Sequence, residues 1–148
     1  MINKRIIAKA VGGLLALESA LMMVCFAISL YFGEPAWQIW TVPIVSALAV
    51  GSGLWYYGRQ AQHQVGRRDG YFIVGSTWII FSVFGMLPFL RSHSTGRLAV
   101  AFFETISGFT TTGATAFPEV ERLPNSLLFW RSLTHWIGGM GIISFTIA

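Results

Sequence analysis

The stretch "LAVAFFETISGFTTTGATAF", residues 98–117, decides the fold expected for this chain. Leu98 to Ile106 is a good helical sequence, whereas Ser107 to Thr115 holds two glycines and four threonines, which disfavour helix. A helix of about ten residues is too short to cross a bilayer, which takes roughly 20. The stretch therefore predicts a short re-entrant helix followed by an extended return segment. A full crossing is the alternative, and the helix-breaking second half disfavours it.

The rest of the chain has the composition of an integral membrane protein. It has 148 residues, of which 54% are hydrophobic and 11% charged, and its mean hydropathy is +0.62. Soluble domains carry about a quarter charged residues. Four stretches are apolar enough to be membrane spans, the last of them apparently cut short: residues 10–32, 35–58, 71–90 and 132–148. An all-α membrane protein is therefore expected.

The distribution of basic residues predicts the orientation. Six basic residues lie before the first span or after the second: Lys4, Arg5, Lys9, Arg59, Arg67 and Arg68. The opposite side would hold four basic residues and three acids: Arg91, Arg97, Arg122, Arg131, Glu34, Glu119 and Glu121. Because positive charge favours the cytoplasmic side, the N-terminus is expected there.

The return segment raises a question about its backbone groups. Non-helical backbone at membrane depth is tolerated only when it is buried in protein or lines a water-filled path. Its carbonyl oxygens would be satisfied if they replaced water around a partly dehydrated cation. Gly113 admits backbone angles that help such carbonyls to share an axis, and the preceding helix directs its negative end there. Uncharged oxygen ligands suit a monovalent ion that must leave as well as enter.

Two motifs add a resemblance to a known family. The runs "FFETISGFTTTGAT" (102–115) and "LLFWRSLTHWIGGMGI" (127–142) closely resemble the first pore repeat of the TrkH/TrkG potassium-uptake family, within the Trk/Ktr/HKT superfamily. The two spans before residue 59 resemble the extra helix pair of the TrkH branch. The resemblance implies three segments: a helix pair over 1–58, a basic cytoplasmic loop over 59–70, and a first pore repeat over 71–148. Such a repeat, written M1-P-M2, consists of a membrane helix (M1), a short pore helix with its filter loop (P) and a second membrane helix (M2). In this sequence the repeat is truncated in M2.

The resemblance also implies the site and its ion. Thr111, Thr112 and Gly113 match the selectivity-filter positions whose carbonyls bind K⁺, with the ion placed at Thr111 and Thr112. Thr110 and Ala114 flank them as secondary contributors. The implied function is potassium uptake across the bacterial inner membrane.

The implied partners follow from the number of repeats. Family members carry four repeats around one pore and this sequence carries one, so it is expected to be the N-terminal part of a longer transporter. Its partners would be membrane lipid, the remaining repeats or further copies of the chain, and the TrkA-type cytoplasmic nucleotide-binding regulator. No nucleic-acid partner is expected.

Two other functions remain open from the residues alone. One is a small cation channel made of four copies of this chain. The other is a non-conducting membrane fragment or interaction protein, whose short helix is a packing element. Enzymatic activity is not expected, because the sequence shows no constellation of nucleophile and base or of metal ligands.

Four further features carry structural expectations. Glu104 is expected to support the pore by bonding the backbone of an adjacent repeat, rather than to supply charge beside the filter. Arg131 is expected to reach lipid headgroups, in preference to pairing with Glu104. Glu18, a charge in mid-span, is expected to face a neighbouring helix. The glycines within 138–141 are expected to permit close packing or a bend.

Overall fold

The computed structural model describes residues 4–60 and 67–147. Within these ranges the chain is helical and contains no β-strand. There are six α-helices and one 3₁₀ turn: α1 (Lys4–Tyr31), α2 (Ala36–Gly58), α3 (Arg67–Gly85), α4 (Leu87–Arg91), α5 (Leu98–Phe109), the turn Val120–Arg122, and α6 (Asn125–Ile147).

Three segments have the length and hydropathy of membrane spans: Lys4–Tyr31, Ala36–Gly58 and Gly70–Arg91. The third comprises most of α3 together with α4, which are separated at Met86 just before Pro88. Proline cannot continue the hydrogen bonding of the preceding turn, so it accounts for this break. The expected all-α membrane protein is confirmed.

Helices α1 and α2 form a closely packed antiparallel pair. A Cβ atom added at Gly12 would lie 2.5 Å from the backbone nitrogen of Trp55, and one added at Gly58 would lie 2.5 Å from the Arg5 carbonyl oxygen. Small residues at such positions let helix backbones approach closely in membranes. Midway along the pair, the Ser19 hydroxyl donates to the Ile44 carbonyl over 3.2 Å.

Several helix boundaries differ from those expected. Helix α3 begins at Arg67, so residues 67–70 of the expected basic loop are helical, while residues 61–66 of that loop lie outside the described residues. Helix α6 begins at Asn125, not at residue 132. Helix α5 continues past Ile106 to Phe109 because tertiary packing there overrides weak helix propensity.

A row of aromatic rings holds α5 against the other helices. Phe109 at the end of α5 lies between Phe81 of α3 and Trp130 of α6, with ring centroids 5.4 Å and 6.4 Å away. Trp130 in turn meets Trp40 of α2 at 6.1 Å. The Trp130 indole donates to the Gly85 carbonyl over 3.0 Å, where α3 ends. The end of the short helix is therefore held between α3 and α6.

The loop between α1 and α2 is tied to the start of α6. The Ser126 amide donates to both carboxylate oxygens of Glu34, at 3.4 Å and 3.3 Å, and the Ser126 hydroxyl also donates to Glu34. The same hydroxyl accepts a 3.2 Å hydrogen bond from the Trp40 indole. A carboxylate at a helix N-terminus satisfies free amides and interacts favourably with the helix dipole. These contacts join the helix pair to the rest of the bundle.

Candidate functional site

Helix α5 ends in a Schellman motif with an unusual residue. The Thr112 amide donates to the Ser107 carbonyl and the Thr111 amide to the Gly108 carbonyl, each over 2.9 Å. Thr111 occupies the left-handed position of this motif with φ +57°, where glycine is the usual residue. A left-handed conformation costs a non-glycine residue about 1–2 kcal/mol. Such local strain is concentrated at functional sites.

Gly113, two residues after Thr111, continues this arrangement. Gly113 also has a positive φ, +74°, and its amide donates to Ser107 over 3.3 Å. Three successive amides, those of Thr111, Thr112 and Gly113, thus point back to the helix end. Within the described part of the chain, the carbonyl oxygens of these three residues accept no hydrogen bond. Residues 111–116 are all exposed.

The return segment runs back alongside α5 and is bonded to it. The Ser107 hydroxyl donates to the Ala114 carbonyl over 2.8 Å. The Thr115 hydroxyl donates to Glu104 Oε1 over 2.6 Å, and the Ala116 amide donates to the same oxygen. At the turn, the hydroxyls of Thr110 and Thr112 lie 2.8 Å apart. The short helix and its return therefore form one re-entrant unit.

Glu104 is the centre of that unit. Its side chain is fully buried, and its second oxygen, Oε2, accepts a 3.1 Å hydrogen bond from Arg131 Nε of α6. The expectation that Arg131 reaches lipid headgroups is wrong, because its side chain is only 20% exposed and is paired with Glu104. Glu104 was expected to bond the backbone of an adjacent repeat; in this structure its Oε1 accepts a hydrogen bond from the backbone of its own return segment, at Ala116. A buried carboxylate is stable only with such partners.

Helix α6 packs against the C-terminal end of α5. A Cβ atom at Gly138 would clash with the Phe109 carbonyl oxygen, so the two backbones are in direct contact. This confirms the expected close packing for Gly138, one of the three glycines within 138–141. His135 Nδ1 lies 2.8 Å from the Arg131 carbonyl, and Nε2 would lie 3.7 Å from a Cβ on Gly113.

The position of His135 beside Gly113 of the return segment was not expected from the sequence. The available signal was the spacing of Arg131, His135 and Gly138 by four and three residues, which puts all three on one helix face.

Glu18 is a second buried glutamate, outside the re-entrant unit. Its carboxyl lies at the end of α3, since a Cβ on Gly85 would be 3.2 Å from Oε1 and 2.7 Å from Thr105 Cγ2 of α5. The expectation that it faces neighbouring helices is confirmed. Neither of its oxygens has a hydrogen-bond partner among the described residues.

Metal chemistry based on side chains has no support in the described ranges, 4–60 and 67–147. They contain no group of three or more His, Cys, Asp or Glu side chains placed to hold a metal ion. The oxygen atoms available at the re-entrant turn belong to the main chain and to threonine hydroxyls.

Membrane-length helices packed against a short helix with a bonded return segment define the class of polytopic α-helical membrane proteins. The family model TrkH, described as "Cation transport protein", matches residues 38–148. The chain belongs to this TrkH family.

Individual relatives agree with that assignment. The chain is 38% identical over 145 residues to the Trk system potassium uptake protein TrkH of Escherichia coli K12, covering 97% of this chain and 30% of the relative. It is 33% identical to TrkG of the same organism, with the same coverage. The crystal structure of the potassium transporter TrkH from Vibrio parahaemolyticus matches with a TM-score of 0.91 and 35% identity, covering 99% of this chain and 31% of that one.

The chain corresponds to less than a third of the length of each of these relatives. The chain spans 30% of the length of the curated relatives it matches. Those relatives are transport proteins and not enzymes, in agreement with the expectation from the sequence. They are named for potassium uptake or potassium transport.

Proposed function

We propose that this chain supplies one segment of a potassium-selective filter in a Trk-type uptake protein. Thr111, Thr112 and Gly113 would bind K⁺ through their main-chain oxygens, with the ion at Thr111 and Thr112, and Thr110 and Ala114 would flank them. Potassium is here the transported ion and not a resident cofactor. Glu104 would hold the segment in place.

The observation that carries this proposal is the hydrogen bonding at the end of α5. Three amides donate back to Ser107 and Gly108, while the carbonyls of the same residues accept no hydrogen bond among the described residues. Carbonyl oxygens left free on an exposed segment are suited to replace the hydration shell of a monovalent cation. The positive φ angles of Thr111 and Gly113 produce this separation of amides from carbonyls.

One such segment leaves an ion open on its other sides. The exposure of residues 111–116 marks the face on which other filter segments would complete the ring. Those segments would come from the remaining repeats of a longer transporter, because the relatives are about three times as long as this chain. Further copies of the chain are the alternative source.

The setting proposed for this activity is the bacterial inner membrane. The helix pair over 1–58 would precede the first M1-P-M2 repeat, over 71–148, with the N-terminus in the cytoplasm. The basic residues that precede the first helix of this pair and follow the second would lie on the same side of the membrane, and they favour that orientation. A TrkA-type regulator would act from the cytoplasmic side.

The test is a glycine substitution at the filter, made in the transporter that contains this chain. Gly113→Ser introduces a side chain at φ +74° and should lower the preference for K⁺ over Na⁺ in uptake assays at least tenfold. Gly96→Ser is the matched control, because Gly96 has open space around it and no positive φ. Unchanged ion preference in Gly113→Ser, at normal protein levels, would rule out this segment as a filter.

A further inference from the structure

An open pocket lies at the end of the α1–α2 pair that is opposite to Glu34. Its volume is about 480 Å³, and two arginines, two tyrosines, a glutamine and a glycine line it: Arg5, Gly53, Tyr56, Tyr57, Arg59 and Gln60. Apart from the glycine, these side chains carry hydrogen-bond donors, and two of them carry fixed positive charge. The pocket has no part in the re-entrant unit.

The close packing of the helix pair brings together the chain segments that carry these cations. Gly58 lies against the first turns of α1, since a Cβ there would be 2.5 Å from the Arg5 carbonyl and 2.6 Å from Lys9 Cβ. The backbone of Arg59, next along the chain, therefore follows directly on a contact with Arg5 and Lys9. The Arg59 guanidinium lies over the Tyr56 ring, 5.2 Å from its centroid, which restrains its direction.

No described carboxylate compensates this charge. The carboxylates whose side chains the structure describes are Glu18, Glu34, Glu104, Glu119 and Glu121. Glu34 and Glu104 are bonded to Ser126 and Arg131, and Glu119 pairs with Arg122. Among the described residues, Arg5 and Arg59 form no ion pair. Counting only the residues that the structure describes, the pocket therefore has a net positive charge.

We propose that this pocket binds the phosphate of an anionic phospholipid headgroup. Arginine forms strong, paired hydrogen bonds with phosphate oxygens. Two arginines that line one pocket can therefore hold a phosphodiester, with the Tyr57 hydroxyl and Gln60 available to the rest of the headgroup.

The position of the pocket selects a lipid over a soluble phosphate. It lies at the end of two helices that are apolar enough to cross a membrane. Trp55, Tyr56 and Tyr57 beside it are 50%, 68% and 60% exposed, and such rings favour the headgroup level of a bilayer. Acyl chains attached to a bound phosphate would continue along the exposed apolar face of α2.

The experiment compares lipids bound to the purified protein in neutral detergent. Phosphatidylglycerol should bind at least tenfold more tightly than phosphatidylcholine, measured by native mass spectrometry during lipid titration. Each of Arg5→Gln and Arg59→Gln should weaken phosphatidylglycerol binding about fivefold, the effect of one basic residue at an anionic membrane surface. Arg97→Gln, which changes an exposed arginine outside the pocket, is the matched control and should leave binding unchanged.

Two further variants test the geometry apart from the charge. Tyr56→Phe keeps the ring under Arg59 and should retain binding, whereas Tyr56→Leu should weaken it about threefold. Equal loss in Arg97→Gln and Arg59→Gln would overturn the proposal, because it would show general charge attraction. Displacement of phosphatidylglycerol by millimolar inorganic phosphate would also overturn it, since the pocket would then be a site for free anions.

Discussion

Arg131 of α6 donates to the buried carboxylate of Glu104 on α5, with 3.1 Å between Arg131 Nε and Glu104 Oε2. The other oxygen of Glu104 accepts hydrogen bonds from Thr115 and Ala116. One side chain therefore connects the short helix, its return segment and the helix behind them.

Removing the charge of Glu104 should destabilise the protein strongly. Glu104→Gln leaves Arg131 largely buried without its counter-ion and is expected to lower the free energy of unfolding by about 3 kcal/mol. The measurement is thermal unfolding in detergent. Glu119→Gln is the control: the pair of Glu119 with Arg122 is exposed, so its loss should cost no more than about 0.5 kcal/mol. Similar losses of stability in the two variants would show that Glu104 does not hold α5, its return segment and α6 together.

The same substitution at the other buried glutamate should be tolerated. Both oxygens of Glu18 lack a hydrogen-bond partner among the described residues, so Glu18→Gln removes no observed bond and keeps the volume. We expect the free energy of unfolding to change by less than about 1 kcal/mol. Glu18→Lys, which places a longer, basic side chain in the same buried position, should prevent normal accumulation in the membrane. A large loss in Glu18→Gln would show that the carboxylate has a partner.

Two glycines of α6 should respond in opposite ways to alanine. A Cβ at Gly138 would meet the Phe109 backbone, whereas nothing lies within 4 Å of a Cβ at Gly141. Gly138→Ala should therefore cost about 2–3 kcal/mol through forced separation of α5 and α6, and it should reduce potassium uptake. Gly141→Ala should be neutral or stabilise the helix slightly. The measurement is the free energy of unfolding of both variants under the same conditions. Equal stability of Gly138→Ala and Gly141→Ala would contradict the contact between Gly138 and the Phe109 backbone.

The left-handed conformation of Thr111 predicts a stabilising substitution. Asparagine tolerates this conformation better than a β-branched residue, so Thr111→Asn should raise the free energy of unfolding by about 0.5–1 kcal/mol. Potassium uptake should fall at the same time if strain at Thr111 fixes the carbonyl directions. Thr112→Asn is the control, because Thr112 has no positive φ and should gain no stability. A loss of stability in Thr111→Asn would contradict the assigned backbone angle.

The sequence predicted the helices that depend on hydrophobic length and missed boundaries that depend on packing. The second span was expected over residues 35–58 and the helix is Ala36–Gly58, because a long uncharged run leaves few alternatives in a bilayer. Helix α5 extends beyond the expected end at Ile106. Its last turn is held by Gly108 against Thr134 and by Gly138 against Phe109, and these contacts join residues distant in sequence.

The residues of the candidate site were predictable only in part. The threonine–glycine run could be recognised as a candidate site because it disfavours helix, although its apolar surroundings suggest a membrane span, which would have to be helical. The pairing of Glu104 with Arg131 could not be selected, since the two residues are 27 positions apart and each has an ordinary explanation alone. The start of α6 was missed for the same reason: a search for uncharged spans excludes Arg131, although its charge is neutralised inside the fold.

The bond between Glu34 and Ser126 has a mechanical consequence for α6. The first turn of that helix is anchored to the α1–α2 loop, and Trp130 and Arg131 fasten the next turns to α3 and α5. If α6 bends, the pivot must therefore lie past these anchors, toward the glycine-rich second half. Such bending would leave the neighbourhood of Glu34 stationary, because the first turns of α6 are fixed there.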